Sequence, residues 1–259
     1  MQEAANHMDL RENIKKVRAG IDAAARAAGR SPADVTLLAA TKTRTSGEIR
    51  AAIAAGITAC GENRVQELTA HLADDAYRGA SVHFIGHLQT NKVKYVVGKV
   101  SLIHSVSSEK LLRAIAAQAD KLGLVQDILL EINLAGEESK SGFPPEQALD
   151  AARMAGQLEG VRLRGLMCIP PPALRPGGNL QFFEALRQLA VDIRREIGHN
   201  KILDVLSMGM SGDYRDAVAA GSTCVRVGSA LFGPRPPALP EGSPPPLPHD
   251  GRRPVNEHF

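Results

Sequence analysis

Eight short apolar runs, each ending on a polar or small residue and each followed by a helical stretch, leave few folds open to this chain. The runs start at Val35, Ile57, Val82, Leu102, Ile128, Val161, Leu203 and Thr223. Most are apolar at successive positions rather than alternating, which is the pattern of strands covered on both faces, and strands of that kind belong to parallel sheets. Eight strand-helix repeats indicate an α/β fold closed as a single (β/α)8 TIM-type barrel; an open doubly wound sheet would not need the count to be eight. The residues at the strand ends are Lys42, Asn63, His87, Ser105, Asn133, Ser207 and Gly228. A barrel gathers all of them on one rim.

The segments between the runs read as helices. Leu10, Ile14, Val17 and Ile21 recur at helical spacing in residues 9–29, which Gly29 closes. Ser46 is expected to cap the next helix, with Ile49 and Ile53 on its inner face and Gly56 as its stop. Helices are also predicted over residues 92–97, 108–122, from Pro144-Pro145 to 158, and 180–197. From Pro234 onward the chain changes character: residues 234–259 are dense in proline and without periodicity. The expected organisation is therefore a barrel over residues 1–233 and a disordered, partly polyproline-II tail, for which docking to an SH3-like partner is the less favoured alternative.

A chain of 259 residues suits one such barrel. Aromatic residues make up only 3% and Trp is absent, which argues against base-stacking surfaces for single-stranded nucleic acid. A net charge of +3 without a basic stripe gives no phosphate-backbone footprint. Cys60, Cys168 and Cys224 lie far apart in or beside apolar runs, the pattern of reduced core thiols rather than of disulfides or a metal clasp. No run reaches membrane-span length and the N-terminus lacks an apolar leader core, so the expected location is the cytoplasm.

The densest chemistry lies in residues 203–233, LDVLSMGMSGDYRDAVAAGSTCVRVGSALFG. This is a βαβ unit with two small-residue turns at the same ends of neighbouring strands, where α/β proteins bind ligands. Glycine lets the backbone approach, and Ser207, Ser211 and Ser229 add hydroxyls, so the pair of turns suits an anion, a phosphate above all. Neither a Walker pattern nor a strand-linked dinucleotide fingerprint is present. Arg226 stands inside an apolar strand and needs a partner: either a carboxylate such as Asp204, or a ligand. Lys42 follows a run of apolar residues and ends on the rim. Desolvation beside a cation such as Arg226 would make it a nucleophile toward carbonyls; alternatively it snorkels to the rim and stays solvated. An aldehyde bearing a phosphate would satisfy both ends, with Lys42 at one and Gly228-Ser229 at the other. Arg226, two residues before Gly228, could then donate to the ring nitrogen of a pyridine cofactor, weakening that ring as an electron sink.

The motifs LLAATKT, GENRVQE, HFIGHLQTNK, SKSGF, RGLMCIP and LSMGMSGDYRDAVAAGSTCVRVGSALFG together resemble the pyridoxal phosphate homeostasis proteins (the YggS/PROSC family), over residues 10–233. The resemblance implies a barrel like the N-terminal domain of alanine racemase (PLP fold type III) and pyridoxal 5'-phosphate as the cofactor, with no metal. It implies Lys42 as the Schiff-base lysine carrying an internal aldimine, Arg226 as partner of the pyridine nitrogen, and Gly228 with Ser229 as the phosphate loop, helped by Ser207 and Ser211. Asn63 and His87 match positions lining the cofactor pocket. Lys140, in SKSGF, matches a second lysine connected with handling the cofactor away from the main site; a solvated loop lysine is the alternative. Val82 stands where the family often has Trp, and Arg44-Thr45 where it often has Lys-Pro. The implied function is storage, buffering or delivery of the cofactor without turnover, by a monomer making at most transient contact with cofactor-requiring apoenzymes. A pyridoxal-phosphate-dependent amino-acid racemase is the runner-up; it needs a second base, which no domain after Gly233 is expected to supply. An unrelated phosphosugar-binding barrel enzyme is a third reading.

Overall fold

A computed structural model of the chain describes residues 2–137, 140–173, 175–197 and 203–234. Eight parallel strands close into a barrel in chain order: β1 Thr36–Ala40, β2 Ala59–Glu62, β3 Ser81–Phe84, β4 Leu102–Val106, β5 Gln126–Glu131, β6 Val161–Met167, β7 Val205–Ser207 and β8 Cys224–Val227. Pairing of β8 with β1 completes the ring. Around it lie α1 Gln2–Ala27, α2 Ser46–Ala54, α3 Val65–Ala73, α4 Glu109–Leu122, α5 Ala148–Ala155, α6 Leu180–Ile197, α7 Tyr214–Ala219 and the single turn α8 Ser229–Phe232. The expected barrel is thus present, and the proline-rich residues 235–259 lie outside the described residues.

Several predicted edges move. The helix expected over 92–97 is a 3-10 helix, Thr90–Tyr95, with Val96 as its C-cap. The stretch opened by Pro144-Pro145 starts as a 3-10 turn, Pro145–Gln147, and becomes α-helical only at Ala148. Ser46 is not the cap of α2. Thr45 is: its backbone is extended (φ −76°, ψ 156°), its side chain accepts from Glu48 N–H, and Glu48 returns the bond to Thr45 N–H. That reciprocal capping box satisfies two otherwise orphaned donors, and Ser46 becomes the first helical residue.

Period-two alternation divides the apolar residues between two places. In β1, Leu37 and Ala39 face the helices and join the main core, whereas Leu38 packs inside the barrel with Ala59, Ile85 and Cys224. A second interior group is Leu102, Leu129 and Met167, and Val205 touches both. The interior is therefore only partly apolar, and polar side chains, Ser207 and Arg226 among them, share it. Gly165 in β6 is required by crowding: it has φ +155°, and a Cβ there would lie 1.8 Å from the carbonyl oxygen of Val205 on β7. At the N-terminal ends of the strands Arg162, Asp127, Arg164 and Asp204 form a ladder of ion pairs, the closest at 2.6 Å.

Candidate functional site

The C-terminal rim is built on the β1–β8 seam. Register pairs Leu38 with Arg226 and Ala39 with Val227, so Lys42 and Gly228 leave adjacent strands on the same side of the molecule. A Cβ on Gly228 would stand 3.5 Å from the Cβ and the carbonyl oxygen of Ala40, which puts the Gly228 turn against the strand end that carries Lys42. Alternation makes Leu38 and Ala40 the inward side chains of β1 and points Thr41 outward; Lys42 follows in the turn just beyond the strand end. Lys42 is half-buried.

Outward-pointing Thr41 is anchored. Its hydroxyl donates to Oε1 of the fully buried Glu62 at 2.6 Å, the same oxygen that accepts from Tyr77 Oη at 2.9 Å and lies 3.1 Å from His71 Nδ1. The hydrogen bond to Glu62 raises the His71 pKa, and burial raises that of Tyr77. On the other side of Lys42, Thr43 sits at φ 64° and its N–H donates to Glu67 Oε2 at 3.0 Å. Lys42 is thus clamped at both neighbours. Arg44 then ties this loop to the end of α8: it donates to Gly233 O, stacks 5.2 Å from the Phe232 ring and pairs with Glu48.

Across the seam, the backbone N–H groups of Gly228 and Ala230 converge on one oxygen, Ser211 Oγ, at 3.3 and 3.2 Å. Gly209, at φ +94°, shapes the turn before Ser211, and its carbonyl accepts from Arg226 N–H. Ser229 is exposed at the start of α8.

Arg226 is 5% exposed, yet among the described residues no carboxylate bonds it. Its guanidinium donates to the carbonyl of Ser207 at 2.7 Å, to Ser207 Oγ at 2.6 Å and to the carbonyl of Cys168 at 2.9 Å. Asp204, the carboxylate considered for it from the sequence, belongs to the opposite end of the barrel and pairs with Arg164 instead. Burial lowers the pKa of Arg226, though a guanidinium remains charged. The same burial pushes Cys168 and Cys60 up to about 12 and Cys224 up to about 11, so all three are neutral, unpaired thiols.

Asn63, at the end of β2, has a buried Oδ1 without a partner, and Ser105 has a buried Oγ without one. His87 is exposed on the rim and lies 3.1 Å from Ser141 Oγ, next to Lys140, whose Nζ donates to Glu137 at 2.9 Å. Lys42, Ser211, Arg226 and Gly228 therefore come together at the β1–β8 seam, Ser207 lies beneath them, and His87 and Lys140 sit on the outer loops. The residues that sequence reasoning missed are the inward polar ones: His83, His104 and Glu131. Each interrupts an apolar strand, which was the available signal. Burial raises the Glu131 pKa against the opposing pull of Arg226.

The donor set suits an anionic, flat, carbonyl-bearing ligand. It has an amine, two convergent backbone N–H groups beside a hydroxyl and a buried fixed cation below them, and the orphaned Oδ1 of Asn63 lies at the end of the neighbouring strand β2.

Comparison with known proteins identifies the lineage. Residues 9–236 match the family described as alanine racemase, N-terminal domain. A pyridoxal phosphate homeostasis protein of Aquifex aeolicus is 41% identical over 228 residues, covering 88% of this chain and 99% of the relative. The structure of PipY from Synechococcus elongatus with PLP bound is 33% identical, with a TM-score of 0.76 over 86% of this chain and all of that one. Alanine racemase of Streptomyces coelicolor, 21% identical, has a TM-score of 0.67 over 88% of this chain and 58% of its own length, a likeness of fold. With barrel, seam and relatives in agreement, the chain belongs to the pyridoxal phosphate homeostasis proteins, within the alanine racemase N-terminal domain family.

Proposed function

We propose that this protein binds pyridoxal 5'-phosphate and acts in its homeostasis, storing, buffering or delivering the cofactor without turning over a substrate. The observation that best supports this reading is the contact of the Gly228 turn with the end of β1, the strand that leads into Lys42. The names of the curated relatives, homeostasis proteins rather than racemases, support the absence of turnover. When bound, pyridoxal phosphate supplies an aldehyde that condenses with a primary amine and releases water. Lys42 is the amine assigned to that link, Arg226 faces the ring nitrogen, and Gly228 and Ser229, with Ser211, hold the phosphate; Ser207, whose hydroxyl accepts from Arg226, serves the site by holding that guanidinium rather than the phosphate it was expected to assist. Asn63 and His87 line the pocket. Lys140, on the loop joined to His87 through Ser141, is a secondary contact.

The working unit in this reading is the barrel of residues 1–233, acting as a cytoplasmic monomer that meets cofactor-requiring apoenzymes transiently, with residues 234–259 an appendage. No helix among the described residues is long and apolar enough to cross a membrane.

The test is an absorbance spectrum of the purified protein with pyridoxal phosphate before and after borohydride, with the modified peptide mapped. Wild type is expected to show a visible band that reduction removes and to carry the label on Lys42. Lys42→Ala is expected to lack both; a band that survives in that variant assigns the covalent site elsewhere. Assays with common amino acids are expected to show no racemisation above that of free cofactor, and robust turnover would replace the carrier reading with the racemase one.

A further inference from the structure

The barrel interior holds a line of polar side chains that begins at Arg226 and Ser207 and continues through three residues, His104, His83 and Ser81, for which the cofactor reading has no use. Arg226 donates to Ser207 Oγ at 2.6 Å; Ser207 Oγ lies 2.8 Å from His104 Nδ1; His104 Nε2 lies 2.9 Å from His83 Nδ1; His83 Nε2 lies 3.2 Å from Ser81 Oγ; and Ser81 donates to the carbonyl of Thr58 at 3.2 Å. The line runs from the rim side of β8 through β7, β4 and β3 to the far end of the barrel. Its ends are fixed by chemistry: a guanidinium can only donate and a carbonyl can only accept. Between them, each hydroxyl and each neutral imidazole accepts once and donates once, provided that all hydrogens point away from Arg226. Both histidines then carry their proton on Nε2. In the opposite direction, Ser207 Oγ would accept from Arg226 and His104 together, and its own hydrogen would be left to the weakly accepting thiol of Cys224.

We propose that His104 is a positioning residue for Arg226, acting through Ser207 at the head of a one-way hydrogen-bond chain that holds the guanidinium in place toward the cofactor ring. The chain turns the lone-pair side of each member toward the cation, so aligned dipoles hold the guanidinium charged in a dry interior. Arginine does not give up its proton, so the line is a static clamp and not a relay. The two carbonyls alone would fix the fork at Ser207 and Cys168; the hydroxyl supported by His104 fixes which N–H is left for a ligand. The inference rests on the reading that Arg226 faces the ring nitrogen, although its first test does not require the cofactor.

That first test is imidazole proton–nitrogen correlation on the full-length 15N-labelled protein without ligand at neutral pH. His83 and His104 are expected to be neutral and protonated at Nε2; a proton on Nδ1 of His104 reverses the chain and overturns the proposal. The second test loads the protein with pyridoxal phosphate labelled at the ring nitrogen. Ser207→Ala and His104→Phe are each expected to move the ring-nitrogen resonance and the visible band, and to weaken binding roughly two- to ten-fold, the worth of one hydrogen bond. The double variant should be no worse than the more severe single one, because both break the same chain. Should His104→Phe fail to fold, Ser207→Ala carries the test. Variants with the wild-type band, resonance and affinity would refute the clamp while leaving the binding function intact, whereas a wild type that takes up no cofactor would refute the binding function itself.

Discussion

A buried guanidinium is tolerable when oxygens meet its N–H groups in the plane of the fork, and Arg226 has three such contacts from two residues. Lysine cannot reproduce that geometry, since one ammonium cannot span the carbonyls of Ser207 and Cys168 as a planar fork does. Arg226→Lys is therefore expected to lose about 2 kcal/mol of stability, as a buried acceptor left without its donor costs, and to bind pyridoxal phosphate more weakly; urea denaturation and a binding titration check the two effects. A variant as stable and as tight as wild type would mean that the fork is not used. Arg226 and Lys42 were legible in the sequence because a charge inside or at the end of an apolar run is conspicuous. His83, His104 and Glu131 carry the same signal more faintly, and they share inward parity with Ser207 and Arg226, which only the closed barrel reveals. Glu62 was not legible at all. Its partners Thr41, His71 and Tyr77 come from separate segments, and a sequence does not announce that three donors will meet on one oxygen.

Strands and helices here are specified by pattern, but their ends are specified by individual bonds. The count and order of the strands could be read from eight apolar runs, whereas Thr45 replaced Ser46 as the cap because the choice depends on which residue turns extended and receives the Glu48 N–H. Thr45→Ala should cost about 1 kcal/mol by removing one side of the capping box, and its effect is confined to α2, measurable as faster amide exchange in that helix. Gly165 makes the opposite kind of statement. Its place in β6 reads as a weak strand position in the sequence, yet the approach of Val205 O makes it the residue that lets β6 and β7 pair at all. Gly165→Ala is expected to destabilise the barrel by about 3 kcal/mol, the upper range for forcing an atom into a packed site. A melting temperature unchanged from wild type would show that β6 and β7 separate without penalty.

The molecule as a whole carries histidines with opposed responses to pH. Burial pushes His83 down to about 4 and holds His104 well below its ordinary value, so the unfolded chain binds protons at these sites that the folded chain refuses. Their contribution to stability is complete above the unfolded value of about 6.5 and is lost as pH falls from there toward 4, by about 3 kcal/mol for His83. His71 behaves in the reverse sense. Its pKa is raised by the bond to Glu62, so the folded state holds the proton more tightly, and the gain is complete below the unfolded value and is lost as pH rises through the folded one. Denaturant unfolding at a series of pH values separates the two. The stability gap between wild type and His83→Gln should shrink as pH drops from 7 to 4.5, because the variant has no proton to refuse. The gap between wild type and His71→Gln should shrink instead as pH rises from 6 to 9. A gap that stays constant in either series would mean that the corresponding imidazole titrates alike in the folded and unfolded chains; for His83 it would also mean that the polar interior of the barrel is wet enough to charge.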